Sequence, residues 1–184
     1  MNTSDTPGRP PPPCIVVMGV SGTGKTTIAR LLADEFGIPF ADADDFHPPA
    51  NVAKMASGTP LDDSDRGPWL TAVGRWLHDH YAAGTGAVVA CSALKRRYRD
   101  ILHASAPSVF FLLLTASREQ LIERMTGRHG HYMPLSLLDS QLDALEPLQP
   151  SEQGAILPAD RAPDHIAGAA AALLRKASGA PESG

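Results

Sequence analysis

The segment Gly19-Val-Ser-Gly-Thr-Gly24-Lys25-Thr26 fits G-x-x-x-x-G-K-[ST] at every position. Such a loop works only in one setting. A buried strand must lead into it and a helix must leave it, so that the curled backbone N–H groups and the positive helix end converge on an anion. Both neighbours are present. Cys14-Ile-Val-Val-Met18 is a short β-branched run, and Thr26–Phe36 places Ile28, Leu31, Leu32 and Phe36 on one helical face before a Gly37 stop. The motif therefore assigns Gly19, Val20, Ser21, Gly22, Thr23, Gly24, Lys25, Thr26 and Thr27 to a cradle for a nucleoside triphosphate. Lys25 would reach the β and γ phosphates and the Thr26 hydroxyl would ligate Mg²⁺.

The rest of the chain repeats the strand–helix alternation. Ile38–Ala41 reads as a weak strand, placed at an edge by Pro39, and Ala87–Cys91 and Val109–Leu114 are further strands. Pro68 reads as a first-turn proline ahead of Trp69, Val73, Trp76, Leu77 and Tyr81 at helical spacing. Helices follow at Lys95–Ala104, at Ser117–Met125 with Ser117 and Gln120 as a capping box, at Leu135–Leu145 and at Ala162–Lys176. Ala155–Leu157 is a short last strand beside Pro158, which has no N–H for a ladder. This alternation predicts an α/β fold with a parallel sheet covered on both faces and ligands beyond the strand C-termini. Residues 14–176 form a single domain, with disordered tails expected at 1–13 and 177–184.

Sixteen Lys+Arg against twenty Asp+Glu give a net charge of −4, the wrong sign for a surface-wide nucleic-acid or anionic-membrane binder. Any anion must be gripped locally. The two cysteines, Cys14 and Cys91, read as buried thiols in a reducing compartment. The apolar runs are too short for a membrane span, and residues 1–13 lack the pattern of a signal peptide, so a cytoplasmic location is expected.

Among P-loop proteins, GTP switches need [NT]-K-x-D, which none of Lys25, Lys54, Lys95 and Lys176 provides. Ala87–Cys91 and Val109–Leu114 end without the acidic pair of motor-type ATPases. A small-molecule kinase fits better, because Asp42-Ala-Asp44-Asp45-Phe46-His47 follows the second strand and can face the γ-phosphate. One of Asp42 and Asp44 would sit near the metal and the other would accept the hydroxyl proton. Asp44 is taken as the base and Asp42 as the metal-side residue, an assignment that could be exchanged.

Asp42-x-Asp44-x-x-His47-Pro48, Asn51, Lys54-Met55 and Gly58-x-Pro60-Leu61-x-Asp63-x-Asp65-Arg66-x-Pro68-Trp69-Leu70 closely resemble the gluconokinase family. So do Cys91-Ser92-Ala93-Leu94-Lys95-x-x-Tyr98-Arg99-Asp100, Arg124-x-x-x-Arg128-x-Gly130-His131 and Ser140-Gln141-x-x-x-Leu145-Glu146-Pro147. The resemblance implies a three-layer αβα P-loop kinase fold with sheet order 2-3-1-4-5 and a mobile lid at about residues 125–135. It implies ATP and Mg²⁺ as cofactors, transfer of the γ-phosphate to the 6-hydroxyl of D-gluconate and, in many members, a homodimer. A kinase for another small acid such as shikimate, or a P-loop metabolite sensor, are the rival expectations.

On that basis Lys25, Asp44 and Arg128 are the catalytic candidates, with Thr26 and Asp42 at the metal. Asp44, His47, Arg66, Ser92, Lys95, Arg99 and His131 would bind the acceptor. Arg66 would grip a carboxylate with its planar fork or else pair with Asp63 or Asp65. His47 is a polyol partner or a loop stabiliser. Arg124 and Arg128, four apart on one helix face, belong to the nucleotide side: Arg128 would close over the phosphoryl group while Arg124 stacks on adenine or touches phosphates.

Overall fold

The computed structural model describes residues 11–127 and 134–179. Five parallel strands form one sheet in the order β2-β3-β1-β4-β5: β1 Cys14–Met18, β2 Phe40–Asp42, β3 Ala87–Ala90, β4 Phe110–Thr115 and β5 Gly154–Pro158. The helices are α1 Lys25–Phe36, α2 Pro49–Ala56, α3 Asp63–Ala82, α4 Arg96–Ser105, α5 Arg118–Thr126, α6 Leu135–Ala144 and α7 Pro163–Ala177. The predicted α/β class and strand order are thus observed. Among the described residues, no helix is long and apolar enough to cross a membrane.

Strand β1 is buried at every position because both of its faces are covered. Cys14, Val16 and Met18 join one core with Trp69, Val73 and Leu77 of α3 and Tyr98 and Leu102 of α4. Ile15 and Val17 point the other way, against Ile28 and Leu32 of α1 and Ile166, Ala170 and Leu174 of α7. The two-residue alternation of a strand therefore divides one apolar run between two helical layers. A third, smaller core sits above the strand ends, where Val20 and Leu94 meet Leu121 of α5 and Leu138 of α6.

Several local expectations change. Helix α3 begins at Asp63, five residues before Pro68, so Pro68 lies inside the helix rather than in its first turn. The start is set by a reciprocal capping box: Asp62 accepts from the Asp65 N–H, and the Asp65 carboxylate accepts from the Asp62 N–H. That polar first turn carries no apolar period, which hid it from the pattern. Helix α2 was not anticipated; its eight residues bury only Asn51. The expected N-terminal tail already takes part in the fold at its end, where the Pro13 carbonyl accepts from the Ala87 N–H at 3.0 Å. The lid expected at about 125–135 lies, from residue 128 to 133, outside the described residues.

Strand β5 is an edge strand that tolerates Pro158 because its other side has no neighbour in the sheet. Its first residue is more constrained. A Cβ on Gly154 would stand 2.3 Å from the Phe111 carbonyl oxygen. Gly154→Ala should therefore destabilise the protein by about 1–3 kcal/mol through overpacking against backbone, measured by urea unfolding. An unchanged midpoint would show that β5 can shift away.

Candidate active site

Because every strand is parallel, the C-terminal ends of β1, β2 and β3 open onto one edge. There the phosphate loop leaves β1 through Gly19 at φ 142°, a conformation strained for any side chain, and an added Cβ would lie 2.6 Å from the Leu114 carbonyl oxygen. The Gly19 N–H donates to the Ser92 carbonyl at 3.3 Å, joining the loop to the chain after β3. Helix α1 starts at Gly24 with no capping side chain and no acid in its first turn, which leaves its leading N–H groups to a bound anion. Lys25 Nζ donates to the Val20 carbonyl at 3.1 Å.

Next to the loop, the Thr26 hydroxyl donates to Asp42 Oδ2 at 3.0 Å, while Asp42 Oδ1 accepts from the Asp44 N–H at 3.0 Å and caps the single 3₁₀ turn Ala43–Phe46. Hydroxyl and carboxylate side by side form a hard-oxygen pair of the kind that holds Mg²⁺ together with phosphate oxygens. No group of three or more His, Cys, Asp or Glu able to hold a metal occurs among the described residues. The Asp44 side chain is 86% exposed. Crowding by the cleft walls, then the neighbouring Asp42 charge, push its pKa above the ordinary aspartate value, with His47 and Lys25 pulling the other way. Beneath them the Cys91 thiol, pushed by burial up to about 12, feels the charges of Lys25, Asp44 and Asp42 together. Those three groups thus converge over the end of β3.

His47 stacks on Trp69 with ring centroids 4.3 Å apart, and Trp69 Nε1 donates to the Ala43 carbonyl at 2.7 Å. Asn51 Nδ2 donates to the Asp65 carbonyl and lies 3.3 Å from His47 Nδ1. Since the amide nitrogen can only donate, Nδ1 accepts and the proton sits on Nε2. Burial lowers the His47 pKa, with the Asp44 charge pulling the other way. The ring is thus fixed as a support for the loop, with its side chain 5% exposed and its Nε2 3.9 Å from Asp44 Oδ1.

A cationic cluster surrounds Tyr98. Arg66 Nη1 is 3.4 Å from the Tyr98 hydroxyl, and Arg66, Lys95 and Arg97 all stand within 6 Å of the ring centroid, at 5.7, 5.8 and 5.6 Å. Tyr98 donates to Asp63 Oδ1 at 2.5 Å, Arg97 pairs with the same carboxylate, and Lys95 Nζ is 3.6 Å from it. The Tyr98 hydrogen bond, ahead of the Arg97 and Lys95 charges, holds the Asp63 pKa below the ordinary range. Asp65 pairs with Lys54 at 2.5 Å. Neither acid is the partner of Arg66, whose fork remains beside a neutral phenol.

One assignment needs correction. Arg99 does not line the acceptor site: it is fully buried and donates to both Glu152 carboxylate oxygens and to the carbonyls of Ala93, Leu94 and Pro147. Its role is to hold the Ser92–Lys95 loop. Arg124, expected on the nucleotide side, stands beside the phosphate loop: it donates to the Gly22 carbonyl at 3.3 Å and to the Ala159 carbonyl, just after β5. Arg128 and His131 lie outside the described residues. Sequence reasoning gave no role to Glu152, for which no signal exists, or to Gln141, whose Oε1 accepts from the Ser21 N–H at 2.8 Å. A polar residue between Leu138 and Leu142 on a buried helix face was the available sign.

A phosphate loop, a hydroxyl–carboxylate pair beside it and a cluster of cations around Tyr98 are the parts of a P-loop kinase. The model of the shikimate kinase family matches residues 21–149. A gluconokinase of Gluconobacter oxydans is 51% identical over 135 residues, 73% of this chain and 76% of that protein. A crystal structure of an unliganded sugar kinase from Janibacter sp. superposes with TM-score 0.85 at 47% identity, over 94% of this chain and 100% of the other. A gluconokinase structure from Sinorhizobium meliloti gives TM-score 0.83 at 43% identity, covering 93% and 97%. The chain belongs to the shikimate kinase family of P-loop proteins and, within it, to the gluconokinases.

The Arg99–Glu152 pair has a measurable consequence. Burial works to raise the Glu152 pKa, but the Arg99 hydrogen bonds and the Gln149 N–H outweigh it and hold the carboxyl below the ordinary glutamate value. Arg99→Met strands a carboxylate that is 4% exposed and should cost about 3–5 kcal/mol in chemical denaturation. The stabilisation is present above the unfolded-state pKa of Glu152 and is lost as pH falls through the lower folded-state value. Wild-type stability with a weakened acceptor KM would restore Arg99 to the binding site.

Proposed function

We propose that this protein transfers the γ-phosphoryl group of ATP to the 6-hydroxyl of D-gluconate, giving 6-phospho-D-gluconate and ADP. The observation that carries this reading is the placement of exposed Asp44 beside the phosphate loop together with the Arg66 and Lys95 cations around Tyr98. A linear polyol acid has the matching ends, a primary hydroxyl for the carboxylate and a carboxylate for the guanidinium. Gluconokinase relatives at moderate identity support the choice of acid.

Asp44 accepts the hydroxyl proton as the oxygen attacks the γ-phosphorus in line. The new O–P bond forms while the bond to the β–γ bridging oxygen breaks, and its electron pair leaves on ADP. Lys25 and the loop N–H groups neutralise the phosphate charge. Thr26 and Asp42 would hold Mg²⁺, which supplies further neutralisation of the β and γ oxygens. Arg66 binds the gluconate carboxylate, with Lys95 beside it, and His47 Nε2–H serves a sugar hydroxyl. Arg128 would close over the transferring group.

A coupled assay of ADP release across D-gluconate, other sugar acids, shikimate and nucleoside monophosphates tests the substrate. D-Gluconate should give the largest acceleration, and another acceptor doing so in its place would overturn the reading. Asp44→Asn should lower kcat by about 10²–10⁴-fold. Because the Asp44 pKa is raised, its basic form is lost on acidification at a higher pH than for an ordinary aspartate. The acid limb of the kcat/KM profile should lie correspondingly high and vanish in Asp44→Asn. Arg66→Met should raise the gluconate KM by about 10–100-fold, the loss of one or two charge-assisted hydrogen bonds, with the ATP KM unchanged.

A further inference from the structure

The Val20–Ser21 peptide is held from both ends. Its carbonyl accepts from Lys25 Nζ at 3.1 Å and from the Thr23 hydroxyl at 2.9 Å. Its N–H donates to Gln141 Oε1 at 2.8 Å, across 120 residues of sequence. A peptide unit is rigid and planar, and its C=O and N–H point in opposite directions. Fixing the N–H from one side therefore fixes where the carbonyl points on the other, and that carbonyl bears the Lys25 ammonium.

The group doing the fixing is itself firmly seated. Leu138, fully buried on α6, and Leu142 pack with Val20, Leu94 and Leu121 in the core above the strand ends. The following turn is tied down by the Glu146 N–H donating to the Leu94 carbonyl at 2.8 Å. Gln141 is one helical step from Leu142 and three from Leu138, so the leucines that anchor α6 also set the reach of its amide. A polar amide at such a place is costly unless bonded. Its bond consumes the Ser21 N–H, one donor of the loop, in exchange for a fixed peptide orientation.

We propose that Gln141 is a positioning residue for Lys25: by holding the Ser21 N–H from α6 it fixes the Val20–Ser21 peptide and thereby the place from which the Lys25 ammonium meets the phosphates. The proposal rests on the loop binding a nucleoside triphosphate and does not depend on which acceptor is phosphorylated. Without Gln141 the peptide is held from one side only, its carbonyl can turn toward the phosphates, and the Lys25 contact with it shifts. Gln141→Met keeps side-chain length and the apolar seat but removes the acceptor.

The test is a double-mutant cycle read by calorimetric binding of a non-hydrolysable ATP analogue with Mg²⁺ and no acceptor present. In the Lys25 background, Gln141→Met should weaken the analogue about 5–10-fold, the size of one lost hydrogen bond. In the Lys25→Met background the same change should cost less than about twofold, because its effect runs through Lys25. A general loosening of the loop would weaken binding equally in both backgrounds and overturns the proposal, as does unchanged affinity in the first. A gluconate reading that failed in the acceptor panel would leave this cycle untouched.

Discussion

Arg99 has no exposure to water, yet it makes five hydrogen bonds, and the loop between β3 and α4 hangs on them. Two go to Glu152 and one to Pro147, in the turn after α6. Two more go to the Ala93 and Leu94 carbonyls, in the loop between β3 and α4. That loop contains Ala93 at φ 43°, a left-handed conformation that a non-glycine residue adopts at a cost of about 1–2 kcal/mol and keeps only when its surroundings demand it. The Ser92 carbonyl, just before it, accepts from the Gly19 N–H, and Lys95, just after it, caps α4 and faces Asp63. One buried cation therefore sets the position of the loop between β3 and α4 relative to the phosphate loop. Removing a partner from such a pair leaves an isolated buried charge, and removing Arg99 also leaves the Ala93, Leu94 and Pro147 carbonyls without this donor.

The layout of the sheet was legible in the sequence because it depends on short-range pattern. β1, α1 with its Gly37 stop, and the Ser117–Gln120 capping box each declare themselves within a few residues. The phosphate loop was legible for the same reason, since glycines at Gly19, Gly22 and Gly24 answer to local backbone geometry. Arg99 was misread because spacing places it one turn beyond Lys95, on a helix that looks basic all along its start. Whether such an arginine faces a ligand or a buried glutamate is decided by Glu152, 53 residues away. Gln141 was invisible as a working residue for the same reason, its partner lying 120 residues back. The start of α3 was missed because Asp62 and Asp65 satisfy each other through hydrogen bonds that leave no hydrophobic trace. What pattern could not reach is the set of long-range polar contacts, and these hold the site.

On the proposed reading, the same contacts explain how a protein of net charge −4 would receive two anions. Its site cations already have acceptors, so ligand binding is an exchange of partners rather than the filling of empty positions. Lys25 rests on a neutral carbonyl and Arg66 beside a neutral phenol. Trading either for a phosphate or carboxylate oxygen replaces a hydrogen bond with one charged partner by a hydrogen bond between opposite charges. Lys95 differs, for it and Arg97 already share the Asp63 carboxylate, whose charge is stabilised by the Tyr98 hydroxyl. An incoming carboxylate gains little there unless Asp63 withdraws, and at close range it meets a like charge. On the proposed reading the exchange would be most favourable at Arg66, and Asp63 would disfavour carboxylates that approach from the Lys95 side alone. Discrimination among small acids would then depend on whether the acceptor is long enough to reach Arg66 while its hydroxyl stays at Asp44.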